Sequence, residues 1–226
     1  LKTMHRGYKA ERYRRKIEVF REAAPDGTLS TDIIVGHPGE TEEDFQDTME
    51  LVRRARFASA FTFQYSPRPG TPAAEMEDQI PKEVVQDRFE RLVALQDSIQ
   101  AEENKKLIGT DVELLVQAEG GRKNDETHRM TGRARDGRLV HFTPVDSEGT
   151  DISAEIRPGD VVHTQVTGAG SFFLLADAAV TSHTRTKAGD MSAAGETPTT
   201  APIGVGLGLP SIGKPAAAES GDSCGC

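Results

Sequence analysis

Phe61-Thr62-Phe63-Gln64-Tyr65-Ser66-Pro67-Arg68-Pro69-Gly70-Thr71-Pro72-Ala73-Ala74 runs from a strand-like segment straight into a stiff loop. Residues 61–65 favour β structure and carry aromatics at alternate positions, Phe61, Phe63 and Tyr65. Pro67, Pro69 and Pro72 then stop the strand, because proline supplies no N–H to a ladder. A stiff loop holding one arginine, Arg68, at the carboxyl end of a strand is where α/β proteins place ligand chemistry. A rigid surface turn is the plainer alternative.

Working outward, residues 9–24 place Tyr13, Ile17, Phe20 and Ala24 at helical spacing, and Pro25-Asp26-Gly27 ends the pattern. Residues 28–36 read as a strand with the continuous apolar centre of a buried parallel pair. A tight turn at His37-Pro38-Gly39-Glu40-Thr41 leads to a helix start. There Thr41 can cap free N–H groups, and Glu42, Glu43 and Asp44 complement the helix dipole. Phe45, Met49, Val52 and Ala55 form that helix's apolar stripe, and a second strand follows over 58–65. Pro81 sits near the opening of a third helix, marked by Val85, Phe89, Leu92 and Ile99 and reaching about residue 107.

Helix, strand, helix, strand, helix is the rhythm of a parallel sheet with right-handed crossovers. Two strands do not close a sheet, so residues 1–107 are expected to be part of an α/β domain. From Gly109 the pattern shortens to five strands, at about 111–117, 127–135, 139–145, 160–167 and 172–180, with turns at Gly120-Gly121, Asp136-Gly137 and Pro158-Gly159. Residues 108–180 are therefore expected to form a small all-β barrel of OB-like size. From 181 the composition turns to Ala, Gly, Thr, Ser and Pro, and 181–226 is expected to be a disordered tail.

The 226 residues carry a net charge of −9, which argues against a generic nucleic-acid binder. Two stretches run the other way: 2–21 has eight basic residues against two acidic, and 122–138 has six against three. Either is a local grip for phosphate or a solvated face. Both cysteines, Cys224 and Cys226, fall in the last three residues, so the first 223 offer neither a disulfide nor a thiolate-held cluster. No apolar run approaches a membrane span and no secretory leader is visible, so the expected location is cytoplasmic. The start at Leu1, directly in a basic helical pattern, reads as a chain cut from something longer.

Three motifs in order, Leu1-Lys2-Thr3-Met4-His5-Arg6-Gly7-Tyr8, then Thr31-Asp32-Ile33-Ile34-Val35-Gly36-His37-Pro38-Gly39-Glu40-Thr41, then the proline loop, closely resemble the radical-SAM methylthiotransferases. The resemblance is closest to the branch that modifies isopentenyl-adenosine beside the tRNA anticodon. Residues 131–142 and Pro158-Gly159-Asp160 resemble that family's TRAM domain. The likeness covers about 1–180 and implies the carboxyl-terminal part of a partial TIM-like radical-SAM barrel, a TRAM barrel, and a chain inactive alone. It further implies S-adenosyl-L-methionine and two 4Fe-4S clusters whose ligands lie outside this chain. The implied partners are the tRNA anticodon stem-loop, an electron donor and the amino-terminal part of the same enzyme. His37 departs from the bulky apolar residue expected in the turn.

By the same resemblance, Asp32, Gly36, Tyr65 and Ser66 fall where the fold binds the cofactor's nucleoside, and no catalytic residue is evident. Gly36 would permit close backbone approach, and Tyr65 is at least as well suited to core packing. Arg68, restricted by its prolines, would face tRNA phosphate or a cofactor carboxylate, or else tie the loop to an acid. Arg133, Arg135, Arg138, His141 and Phe142 would hold RNA, although Phe142 shares the alternation of Val140 and is as readily core. The alternatives are a stand-alone RNA-binding module, or a sister enzyme acting on threonylcarbamoyl-adenosine or a ribosomal protein.

Overall fold

The computed structural model describes residues 1, 4, 6–118 and 124–193. The expected features at His5, Gly120, Gly121, Arg122, Lys123, Cys224, Cys226 and the tail beyond 193 lie outside the described residues.

Helix α1 (Ala10–Ala23) leads to β1 (Ser30–Val35), α2 (Glu42–Ala55) and β2 (Ser59–Gln64). A 3-10 turn (Pro72–Glu75) precedes α3 (Lys82–Lys105), a helix about 36 Å long. β1 and β2 pair in parallel, with Asp32 beside Phe61 and Ile34 beside Phe63. One core joins Val35 of β1 to Phe45, Met49, Val52 and Ala55 of α2 and to Val85, Leu92 and Ile99 of α3. These are the stripes that helical spacing predicts. The opposite face of the strands is uncovered: Ile34, Phe61 and Phe63 are 40%, 65% and 51% exposed.

α2 begins as its sequence dictates. Thr41 Oγ1 accepts the Asp44 N–H at 3.1 Å, and the Asp44 carboxylate accepts the Thr41 N–H at 3.0 Å. It ends at Arg56, whose φ of 49° is left-handed and whose guanidinium reaches Glu102 and Glu103 of α3.

Among the described residues, the second part is a seven-stranded sheet rather than the five strands expected. Its members are β3 (Asp111–Val116), β4 (Met130–Ala134), β5 (Leu139–Phe142), β6 (Val161–Gln165), β7 (Gly168–Ala169), β8 (Phe173–Ala176) and β9 (Ser182–Thr184). The order is β7-β8-β5-β4-β3-β6-β9, with β5 and β8 parallel and the other pairs antiparallel. Leu114, Val116, Val140, Phe142, Val162, Leu174 and Ala176 meet in its core.

Two expectations fail. The strand expected from 127 starts at Met130, because residues 124–127 form a helical turn, α4 (Asn124–Thr127). The tail expected from 181 is ordered through 193 as β9 and α5 (Lys187–Ala193). The cause is Asp160, whose buried carboxylate accepts from His183 Nε2 at 2.8 Å, Arg185 Nε at 3.0 Å and the Thr186 N–H at 3.3 Å. Composition hides such a lash, since it depends on one distant carboxylate.

Candidate functional site

The carboxyl end of β1 is held by charges that face inward. Glu40 folds back to accept the Gly36 N–H on both oxygens, at 3.2 and 3.1 Å. Arg88 of α3, buried, donates Nη1 to Glu40 Oε1 at 2.8 Å and to the Glu40 carbonyl at 3.0 Å, and Nε to Glu42 at 3.2 Å. Arg91 donates to Glu42 at 2.5 Å and stacks 4.7 Å above the Phe45 ring. Burial pushes the Glu40 carboxyl up against the pull of the Gly36 N–H and Arg88. Hydrogen bonding from Arg91, then Gln46, lowers Glu42 to about 2. The sequence reading missed Arg88, although it stands three residues after Val85 on the buried stripe of α3. A charged residue in that register was the available signal.

Gly36 is required here by backbone conformation and by packing against α3. Its φ is 82° and a Cβ would lie 2.6 Å from the Val85 side chain. Its N–H is committed to Glu40, and α3 makes a close approach on the side where a Cβ would stand. Asp32 is exposed on the uncovered face of β1 and, with Ile34, His37, Glu40, Tyr8 and Arg12, lines a cavity of about 1580 Å³ between the amino-terminal segment and the sheet.

Tyr65 follows β2 and donates its N–H to the Val35 carbonyl at 2.8 Å, which sets it beside Gly36. Its hydroxyl is buried with no hydrogen-bond partner among the described residues. The His37 ring, buried, stands edge-on at 5.5 Å and contacts the Pro38 carbonyl through Nδ1 at 2.9 Å. Ser66 and Arg68 are exposed beyond it and do not line the cavity. The Arg68 carbonyl accepts Thr71 Oγ1 at 2.7 Å, which pins the loop, while its guanidinium has no partner among the described residues. Among the described residues, no salt bridge ties this loop through Arg68.

In the sheet-rich part the three arginines separate. Arg135 donates to Glu113 at 2.8 Å, and Arg138 is held by Asp136. Arg133 is exposed, donates only to the Gly137 carbonyl at 3.0 Å and has no carboxylate among the described residues. His141 contacts Thr131 Oγ1 through Nδ1 at 3.0 Å; burial, then the nearby Arg129 charge, lowers its pKa and keeps it neutral at pH 7. Phe142 is corrected: fully buried beside Val140, it is core and cannot stack on a base. The exposed aromatics are Phe172 and Phe173, which strand alternation alone placed in an ordinary strand.

The described residues contain no group of three or more His, Cys, Asp or Glu able to hold a metal ion, and no helix long and apolar enough to cross a membrane. No family model matches the chain. Curated relatives do, along its whole length, and they bear out the resemblance read from the ordered motifs: the chain belongs to the methylthiotransferase family. Three of these relatives carry the same name. A tRNA-2-methylthio-N(6)-dimethylallyladenosine synthase of Corynebacterium diphtheriae is 64% identical over 230 residues, covering 100% of this chain and 44% of that protein. The synthase of Nocardia farcinica is 59% identical over 228 residues, with 100% and 44% covered. That of Rhodococcus jostii is 61% identical over 216 residues, with 96% and 42% covered. The chain thus spans less than half the length of the relatives it matches.

Proposed function

We propose that this chain is the carboxyl-terminal part of a tRNA methylthiotransferase that adds a methylthio group to isopentenyladenosine. The observation that carries this reading is identity of 58% or more, along nearly all of the chain, to synthases named for that product. In this reading residues 1–107 are part of a TIM-like radical-SAM barrel and 108–180 a TRAM barrel. The remainder of the enzyme supplies the cluster ligands, an electron donor completes the system, and the reaction is cytoplasmic.

The residues present fit one end of a nucleoside. The Tyr65 hydroxyl is a buried polar atom without a partner among the described residues, and the Asp32 carboxylate stands on an apolar face beside Ile34 and Phe61. Tyr65 would donate to a base or ribose acceptor, and Asp32 would accept from hydroxyls. Ser66 would add a hydroxyl at the same strand end. Gly36 contributes indirectly: its bond to Glu40, backed by Arg88, keeps the loop from moving. When bound, S-adenosyl-L-methionine and the two 4Fe-4S clusters supply the radical and the methylthio group. The protein residues orient and exclude water.

Arg68, whose guanidinium has no partner among the described residues and whose loop is pinned, would meet a tRNA phosphate. Among the described residues of the sheet, Arg133 is a cation available for phosphate, whereas Arg135 and Arg138 are engaged by carboxylates. Neutral His141 would pack or hydrogen-bond rather than neutralise charge. The stand-alone RNA-module alternative is weakened because residues 108–180 hold twelve acidic and seven basic residues.

The test is a splice. This chain replaces the corresponding segment of the Corynebacterium diphtheriae synthase, the clusters are reconstituted anaerobically, and tRNA nucleosides are analysed by mass. Methylthio-isopentenyladenosine should form. A folded, cluster-loaded chimaera that leaves tRNA unmodified, beside an active parent, contradicts the proposal.

A further inference from the structure

The turn between β7 and β8 is built to hold two phenylalanines outside the core. The Gly170 N–H donates to the Phe173 carbonyl at 2.8 Å, and a Cβ on Gly170 would sit 2.9 Å from the Phe173 ring. Asn104, buried near the end of α3, donates Nδ2 to the carbonyls of Gly170 at 2.9 Å and Ser171 at 3.0 Å. The turn is therefore fixed from inside by a helix whose other end carries Arg88. Phe172 is left 63% exposed and Phe173 37%.

Register extends the surface. Phe173 pairs with Leu139, Leu139 with Arg133, and Arg133 with Leu115, which is 52% exposed. This row on the outer face of the sheet holds no carboxylate. Arg133 lies two strands from Phe173, about 10 Å, within reach of its long side chain. His141, one step along β5, meets the Phe173 ring edge-on at 5.5 Å.

Resting on the tRNA reading above, we propose that Phe172 and Phe173, braced by His141 and Asn104, are a stacking platform for one unpaired RNA base whose phosphate Arg133 takes. The composition of the row favours RNA over a peptide strand. An aromatic face with one cation that has no carboxylate among the described residues suits a base and its phosphate. A peptide adding to the sheet would need an edge, and the end strands β7 and β9 are two and three residues long.

The test uses the 226-residue chain and an RNA hairpin with 2-aminopurine in its single-stranded loop. Wild type should quench that base on binding. Phe172→Ala should weaken binding about 5- to 100-fold and lose the quench without changing the salt slope. Phe172→Leu, which keeps an apolar side chain but no ring, should behave like the alanine variant, and Phe172→Tyr should retain binding. Arg133→Ala should reduce the salt slope by about one. Wild type that binds and quenches while Phe172→Ala and Phe172→Leu match it overturns the platform alone. Wild type that binds no hairpin overturns the tRNA reading and the platform with it.

Discussion

The two parts of this chain differ in how deep most of their arginine pairs lie, Arg185 on the buried Asp160 being the exception in the sheet-rich part. In the α/β part, Arg88 is buried and clamps a strand-end loop through Glu40 and Glu42. In the sheet-rich part, Arg129, Arg135 and Arg138 pair with carboxylates nearer the surface. A buried pair is costly to break because its survivor is left uncompensated, whereas a solvated pair is worth little. The α/β part also leaves one sheet face bare, while the sheet-rich part closes its own core and is lashed by residues beyond it. Rigidity at the carboxyl end of β1 thus rests on a few inward charges, and the sheet-rich part retains selected groups facing out.

That contrast breaks first at Arg88. Arg88→Ala should destabilise the α/β part by about 3–5 kcal/mol, read from denaturant melts, because the half-buried Glu40 loses its cation. A cost near that of a surface pair would show that the clamp is not inward-acting. Next is the lash. Asp160→Asn should cost about 2 kcal/mol and speed hydrogen exchange across 182–193, since its acceptors lose charge.

The pH dependence at Asp160 has a definite sign. Burial raises its pKa, but His183, the Arg157 and Thr186 N–H groups and Arg185 together hold it below the usual carboxylate range. Its contribution is therefore complete above about pH 4, the unfolded value, and fades as pH falls through the depressed folded value. Exchange protection of β9 should follow that course in the wild type and be flat in Asp160→Asn. Thr41→Ala removes the capping box of α2 and should cost about 1 kcal/mol by the same melts. Arg135→Ala should move the midpoint by about 0.5 kcal/mol or less, the arginine being 84% exposed.

The helices and the strand pair were readable because their signals are periodic. Phe45, Met49, Val52 and Ala55 repeat at helical spacing and are buried together. Residues 59–64 alternate as a strand, and the loop after them stops where proline requires. The two extra strands were not legible: Gly168–Ala169 and Ser182–Thr184 are too short to show a period, and each exists through distant pairing. The site was partly legible. Arg133 and Arg135 are alike in sequence, two residues apart in one basic run, and only tertiary contact with Glu113 separates them. Phe142 and Phe173 both alternate on strands, and which face becomes core is decided by the neighbouring strands. Arg88 was hidden because a charge inside an apolar stripe reads as a break, whereas here it is the clamp.

The most direct measurement is the Michaelis constant of the spliced enzyme for each substrate. Arg133→Ala should raise KM for tRNA and leave KM for S-adenosyl-L-methionine unchanged, and Tyr65→Phe should do the reverse. Variants that shift both constants together, or neither, would contradict a division of labour between the two parts.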